Sequence, residues 1–123
     1  MSTTYGRYLR RVDGGFAHYC PACQAMHVYF VDKPSHSGAR WKFNENPDLP
    51  TFTPSMNIRW GTYADPTYVD EGRESGICHY FVMNGQIMYC GDCTHDMKGK
   101  TVPLPELPSP ILDDVPLIWV GPR

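Results

Sequence analysis

The sequence predicts a mainly β protein, a small α+β arrangement being the variant, in which antiparallel hairpins are clamped by a zinc site in the manner of a zinc ribbon. Three observations carry this. Twelve prolines and eleven glycines in 123 residues break long helices and favour short segments. Asn84-Gly85 sits between two β-prone runs, the strongest short-range hairpin signal. Cys20-Pro-Ala-Cys23 is a C-x2-C knuckle, and Cys78, His79, Cys90, Cys93 and His95 form a second Cys/His cluster far downstream, the arithmetic of a zinc site.

Taken in order, Tyr5 to Val12 suggests a short strand, and Asp13-Gly14-Gly15 a turn. Phe16 to Cys20 reads as a strand, Pro21-Ala22 as the knuckle tip, and Gln24 to Val31 as the returning strand. A redox C-x-x-C would open a helix, but Met26-His27-Val28-Tyr29-Phe30-Val31 is β-prone. Asp32 to Arg40 is a loop and Trp41 to Asn44 a short strand. Phe52 to Trp60 alternates apolar and polar residues, with Pro54 marking an edge strand or a bulge. Gly61 to Ser75 is a long polar loop.

The hairpin geometry follows from its turn. With Asn84-Gly85 as a two-residue loop, Met83 pairs with Gln86 and the ladder places His79 opposite Cys90, with Cβ atoms about 5 Å apart. Period two puts Cys78 on the other face from His79. The hairpin therefore offers two ligand pairs on opposite faces, Cys78 with Cys93 and His79 with Cys90. Beyond it, Asp92 or Thr94 is placed to cap a short helical turn through Met97, with Gly99 as its stop. One domain over residues 1–108 is followed by a Pro-rich extended tail over 109–123, which ends in the apolar run Val115 to Val120. The expected core comprises Phe16, Val28, Phe30, Trp41, Phe43, Phe52, Ile58, Phe81, Ile87 and part of Met88.

A net charge of −2 gives no general drive toward nucleic acid or an anionic membrane. Met1 to Gly15 lacks the apolar region of a secretory signal, and no apolar run approaches the roughly 20 residues of a membrane span. A cytoplasmic protein is expected, with a place in a virion as the variant. An odd cysteine count in a reducing compartment points to metal before disulfides.

Cys20-Pro-Ala-Cys23 with His27, Trp41 with Asn44, Pro50-Thr51-Phe52-Thr53-Pro54-Ser55, Cys78-His79-Tyr80-Phe81 with Asn84-Gly85, and Asp92-Cys93-Thr94-His95 together resemble a family of small tailed-phage and prophage proteins often labelled "ammonia monooxygenase". The resemblance covers roughly residues 15 to 105. It implies recurring Cys and His positions at Cys20, Cys23, His27, Cys78, His79, Cys93 and His95, and Cys90 departs from them. Nothing in these residues supports the oxygenase label: thiolate-rich ligands on a chain without a membrane span do not suit a membrane copper enzyme.

Three constellations remain. Cys20, Cys23, Cys78 and Cys93 would close a tetrahedral zinc site, with His79, His95, His27 and Cys90 as alternate ligands. His27, His79 and His95 would hold a catalytic zinc with an open position, Asp92 or Asp96 orienting a ligand or acting as a base. Thr51, Thr53 and Ser55 would line a pocket wall, but a proline-stiffened edge strand with hydroxyls in water is the preferred reading. Sequence pairs Ser55 with no base, so no triad is assembled. The leading expectation is a phage-type accessory protein with a structural zinc that acts by binding a protein partner, a host or defence factor or a virion component. The alternative is a zinc hydrolase using His27, His79 and His95.

Overall fold

The computed structural model describes residues 3–35, 37–64, 75–107 and 117–118. Among the described residues, ten strands form two five-stranded sheets and the one helical element is a 3-10 turn at Gly61–Tyr63. The first sheet runs β1 (Thr3–Tyr5), β2 (Leu9–Val12), β3 (Gly15–Cys20), β4 (Ala25–Phe30), then β10 (Leu117–Ile118), which pairs parallel to β4. The second runs β5 (Lys42–Phe43), β6 (Phe52–Trp60), β7 (Gly76–Met83), β8 (Gln86–Tyr89), β9 (Thr101–Pro103), antiparallel throughout. The mainly β class holds. The boundary expected at residue 108 and the tail from 109 lie outside the described residues, apart from β10. So do residues 65–74 of the long loop.

The two sheets close on one core. Tyr29 of the first sheet stacks on Phe52 of the second with ring centroids 4.1 Å apart, and Phe43 lies 4.7 Å from Phe52. Phe16, Val28, Phe30, Trp41, Phe52, Ile58 and Ile87 are buried as expected, and Phe43 is partly so. Phe81 and Met88 depart from the expected core: they pair directly across the hairpin on its outer face and are 36% and 39% exposed. Period two explains this. Tyr80, Val82, Ile87 and Tyr89 take the inner positions, so their chain neighbours must face out.

The hairpin register is the one its turn dictates. Met83 pairs with Gln86 and Tyr80 with Tyr89, and Cys90 N–H donates to His79 O at 2.9 Å. Asn84 (φ 50°) and Gly85 (φ 76°) both occupy the left-handed region that a type I′ turn requires. The segment expected to form a helical turn after Asp92 is instead a series of turns closed by Gly99 at φ 74°.

The β6–β7 pair positions the functional residues. Phe52 pairs with Val82 and Met56 with Tyr80, so four steps on β6 match two on β7. The two extra residues form an irregularity spanning Thr53, Pro54 and Ser55, where proline has no N–H to give the ladder. The bulge is as anticipated, but β6 is not an edge strand, since β5 pairs along its other side. After the bulge the ladder resumes, with Asn57 opposite His79 and Ile58 opposite Cys78.

Phe52, almost fully buried at the centre of the aromatic stack, carries the sharpest stability expectation. Phe52→Ala should cost about 3–5 kcal/mol by cavity formation. Met83→Ala on the outer face should cost no more than about 1 kcal/mol. Urea-unfolding midpoints of the two variants check the contrast, and equal losses would contradict the assignment of faces.

Candidate functional site

Strand β7 carries consecutive residues to opposite faces. Cys78 and Tyr80 point into the core, and His79 points out, as the register requires. Each face gathers its own cluster.

On the outer face, His79 Nε2 lies 3.0 Å from Ser55 Oγ. His79 Nδ1 lies 3.0 and 3.1 Å from the two carboxylate oxygens of Asp92. A carboxylate only accepts, so Nδ1 carries the proton and Nε2 is left with its lone pair toward the serine hydroxyl. Ser55, His79 and Asp92 thus form the nucleophile–base–orienter geometry of a Ser-His-Asp triad. Three local devices hold it. The bulge turns Ser55 outward beside Asn57, and its carbonyl accepts a 3.1 Å bond from the Trp41 indole. Thr94 N–H donates to Ile77 O, and Ile77 N–H donates to Thr94 Oγ1, which ties the turn carrying Asp92 onto β7. Cys93 Sγ accepts from His79 N–H and donates to His79 O, at 3.2 and 3.1 Å, so this thiol clamps the backbone of the histidine. His79 and Asp92 side chains are 23% and 43% exposed, so a large substrate can reach them. Arg59 Nη2 stands 3.9 Å from Asp92 Oδ2, and Phe81 packs beside His79 with ring centroids 6.2 Å apart.

On the inner face, Cys20 Sγ and Cys78 Sγ are 4.0 Å apart, and His95 Nε2 is 3.4 Å from Cys78 Sγ. Ligand atoms of Cys20, His27 and Cys78 lie within 4.8 Å of one another, close enough to share one metal ion. Hydrogen bonds from Cys23 and then Cys78 hold Cys20 far below the usual thiol range. Donation to Cys20 pushes Cys23 up to about 12 and raises Cys78 strongly. The three sulfurs share their protons, an arrangement in which a cation would replace the shared protons. A tetrahedral ion with bonds of about 2.3 Å to sulfur and about 2.1 Å to nitrogen sets S···S edges of about 3.8 Å and S···N edges of about 3.6 Å. The Cys20–Cys78 and Cys78–His95 separations stand close to that spacing.

The polar core beside this cluster fixes which lone pairs face it. Burial lowers His18 to about 4, so its ring is neutral. His18 Nδ1 meets the Tyr19 carbonyl at 3.3 Å and therefore carries the proton. Its Nε2 must then accept from the Tyr80 hydroxyl, 2.6 Å away. Having spent its proton, Tyr80 Oη accepts from His27 Nδ1 at 2.9 Å. His27, also kept neutral by burial, is left with a bare lone pair on Nε2, which is buried and has no hydrogen-bond partner. His95 differs: its Nδ1 accepts Met97 N–H at 3.2 Å, so Nε2 offers a proton to Cys78.

The structure therefore brings Cys20, Cys23, Cys78, His27 and His95 together on the inner face. It places Cys93 against the His79 backbone, and His79, Cys90 and Asp92 on the outer face. His27, His79 and His95 do not meet around one point. Sequence reasoning missed Ser55 as the partner of His79. The available signal was the outward period of Ser55 and Asn57 against inward Met56 and Ile58, but the bulge hid the pairing.

Among the described residues, no helix is long and apolar enough to cross a membrane. Searches of curated proteins and of solved structures each returned no match. The family comparison returned a bacterial family rather than the phage family that the motifs resemble. Its model spans residues 3–90, which include Ser55 and His79 and end two residues before Asp92. On that match the chain belongs to the BubE family, described as the bacterial ubiquitination-like system serine protease.

Proposed function

We propose that this protein is a serine hydrolase that cleaves an amide bond in a protein of a bacterial ubiquitination-like system. The observation that carries the reading is the hydrogen-bonded line Ser55 Oγ, His79 Nε2, His79 Nδ1, Asp92 carboxylate. The family description supports it independently. In this reading the protein partner expected from the sequence is the substrate.

In this reading each residue of the line has one role. Ser55 Oγ attacks the carbonyl carbon while His79 Nε2 takes the hydroxyl proton. Asp92 keeps the imidazole in the tautomer with Nδ1–H and stabilises the imidazolium that forms. Nε2 then returns its proton to the leaving amine, and water repeats the sequence on the acyl-enzyme. Exposed Phe81, beside His79, and its cross-strand partner Met88 give the substrate chain an apolar surface.

The inner cluster is read as a structural zinc site with Cys20, Cys23, Cys78 and His27 as ligands. The thiol spacing and the orphaned His27 lone pair support it. Such an ion would tie the β3–β4 knuckle to β7, one residue from the catalytic base.

A fluorophosphonate probe should label the wild-type protein at Ser55. Ser55→Ala should abolish labelling, and Asp92→Asn should slow it by roughly 10³-fold or more without unfolding the chain. A wild-type protein inert to the probe would refute the hydrolase reading. Protein purified without added metal should carry about one zinc per chain, and Cys20→Ser should lose both zinc and much of the stability. His27→Ala should lose more zinc than His95→Ala in elemental analysis, and the reverse order would move the fourth ligand to His95.

A further inference from the structure

The outer face holds a group that the proposed mechanism leaves idle. Cys90 follows β8 and is half-buried, and its thiol lies within 4.8 Å of both a His79 ring nitrogen and an Asp92 carboxylate oxygen. Hydrogen bonding has already fixed the other two: Nδ1 faces Asp92 Oδ1 at 3.0 Å, near the N···O edge of about 3.4 Å that a tetrahedral ion would set. The proton shared by Nδ1 and Asp92 occupies the place such an ion would take, with Cys90 as the third donor. The register makes this convergence firm, because Cys90 N–H is bonded to His79 O.

We propose that His79 Nδ1, Cys90 Sγ and Asp92 form a second metal site, open to solvent, through which a borderline-soft divalent cation such as zinc switches the hydrolase off. The nitrogen, sulfur and oxygen donors suit zinc and disfavour magnesium or calcium, which take oxygen ligands. Three protein donors leave a fourth position for water, and exposure of Asp92 keeps the ion exchangeable. Arg59 approaches Oδ2 of Asp92 and leaves Oδ1 for the ion. The chemistry balances simply. Cys90 gives up its thiol proton to solvent and binds as the thiolate. The ion takes the Nδ1 lone pair, and the one proton of the neutral ring moves from Nδ1 to Nε2. Nε2 then donates to Ser55 where catalysis needs it to accept, so the base is disabled while Ser55 stays in place. Binding itself does not depend on the hydrolase reading, whereas the inhibition rests on it.

The test uses the full chain with its inner site loaded with zinc. Cobalt(II) titrated into the wild type should occupy one further equivalent, with a thiolate-to-cobalt charge-transfer band. Cys90→Ser and Cys90→Ala should lack that band and bind the ion roughly tenfold more weakly or worse. Added zinc should slow fluorophosphonate labelling of the wild type, reversibly on chelation, and should leave labelling of both Cys90 variants little changed. No further equivalent in the wild type, or a charge-transfer band that persists in both variants, overturns the site. A second equivalent that leaves labelling unaffected overturns the switch. A wild type that never labels removes the triad and the switch with it, while the cobalt titration still decides the metal site.

Discussion

The alternation of strand β7 is the constraint on which the rest of the molecule depends. Cys78, His79 and Tyr80 are consecutive, and a strand must send them in, out and in. The inner pair belongs to the thiol cluster and to the histidine–tyrosine chain that runs through the core. The outer residue is the proposed base. A shift of one residue in the β6–β7 or β7–β8 register would invert all three at once. The molecule guards against this from both sides. The Asn84-Gly85 turn fixes the register with β8. The bulge on β6 absorbs two extra residues without disturbing Asn57 opposite His79.

The polar core is unusual in its demands. Buried polar groups are costly unless paired, and here His18, His27 and Tyr80 satisfy one another in a single direction that starts at the Tyr19 carbonyl. The chain has a beginning but no protein terminus: His27 Nε2 is buried with nothing to accept from. A network left open at one end, on a histidine with a ring nitrogen within 4.8 Å of the Cys20 and Cys78 thiols, calls for a cation more strongly than any one of its members does.

Much of this was legible in the sequence, and the parts that were not share one cause. Period two separated Cys78 from His79, and the Asn84-Gly85 turn set the hairpin register that brought Cys90 opposite His79. Cys20 and Cys23 were readable as a knuckle from their spacing. Local rules reach this far because turn chemistry and period two act over a few residues. Ser55 was beyond them. Its partner is 24 residues away across the long loop, and the register on β6 is offset by two through the Pro54 bulge. Counting outward from a turn cannot cross such an offset. The misplacement of Phe81 and Met88 in the core has the opposite origin, since their hydrophobicity outweighed an alternation that the hairpin had already fixed.

The outer face shows how the proposed base is held on strand β7. His79 has its backbone carbonyl bonded to Cys90 N–H and to the Cys93 thiol, its N–H bonded to the same thiol, and both ring nitrogens engaged. Such a side chain keeps one orientation without needing burial, and a partly exposed base is what a protein-sized substrate requires. The same rigidity makes the site selective in how it can be perturbed. Groups that replace a proton at Nδ1 act on the base directly, because the backbone and Ser55 cannot move aside. Changes on the inner face act through Cys78 and Tyr80, the chain neighbours of His79, and through His95, which shares a turn with Asp92 and Cys93. The two faces therefore meet along strand β7 and the turn from Asp92 to His95, whose side chains reach both the core cluster and His79.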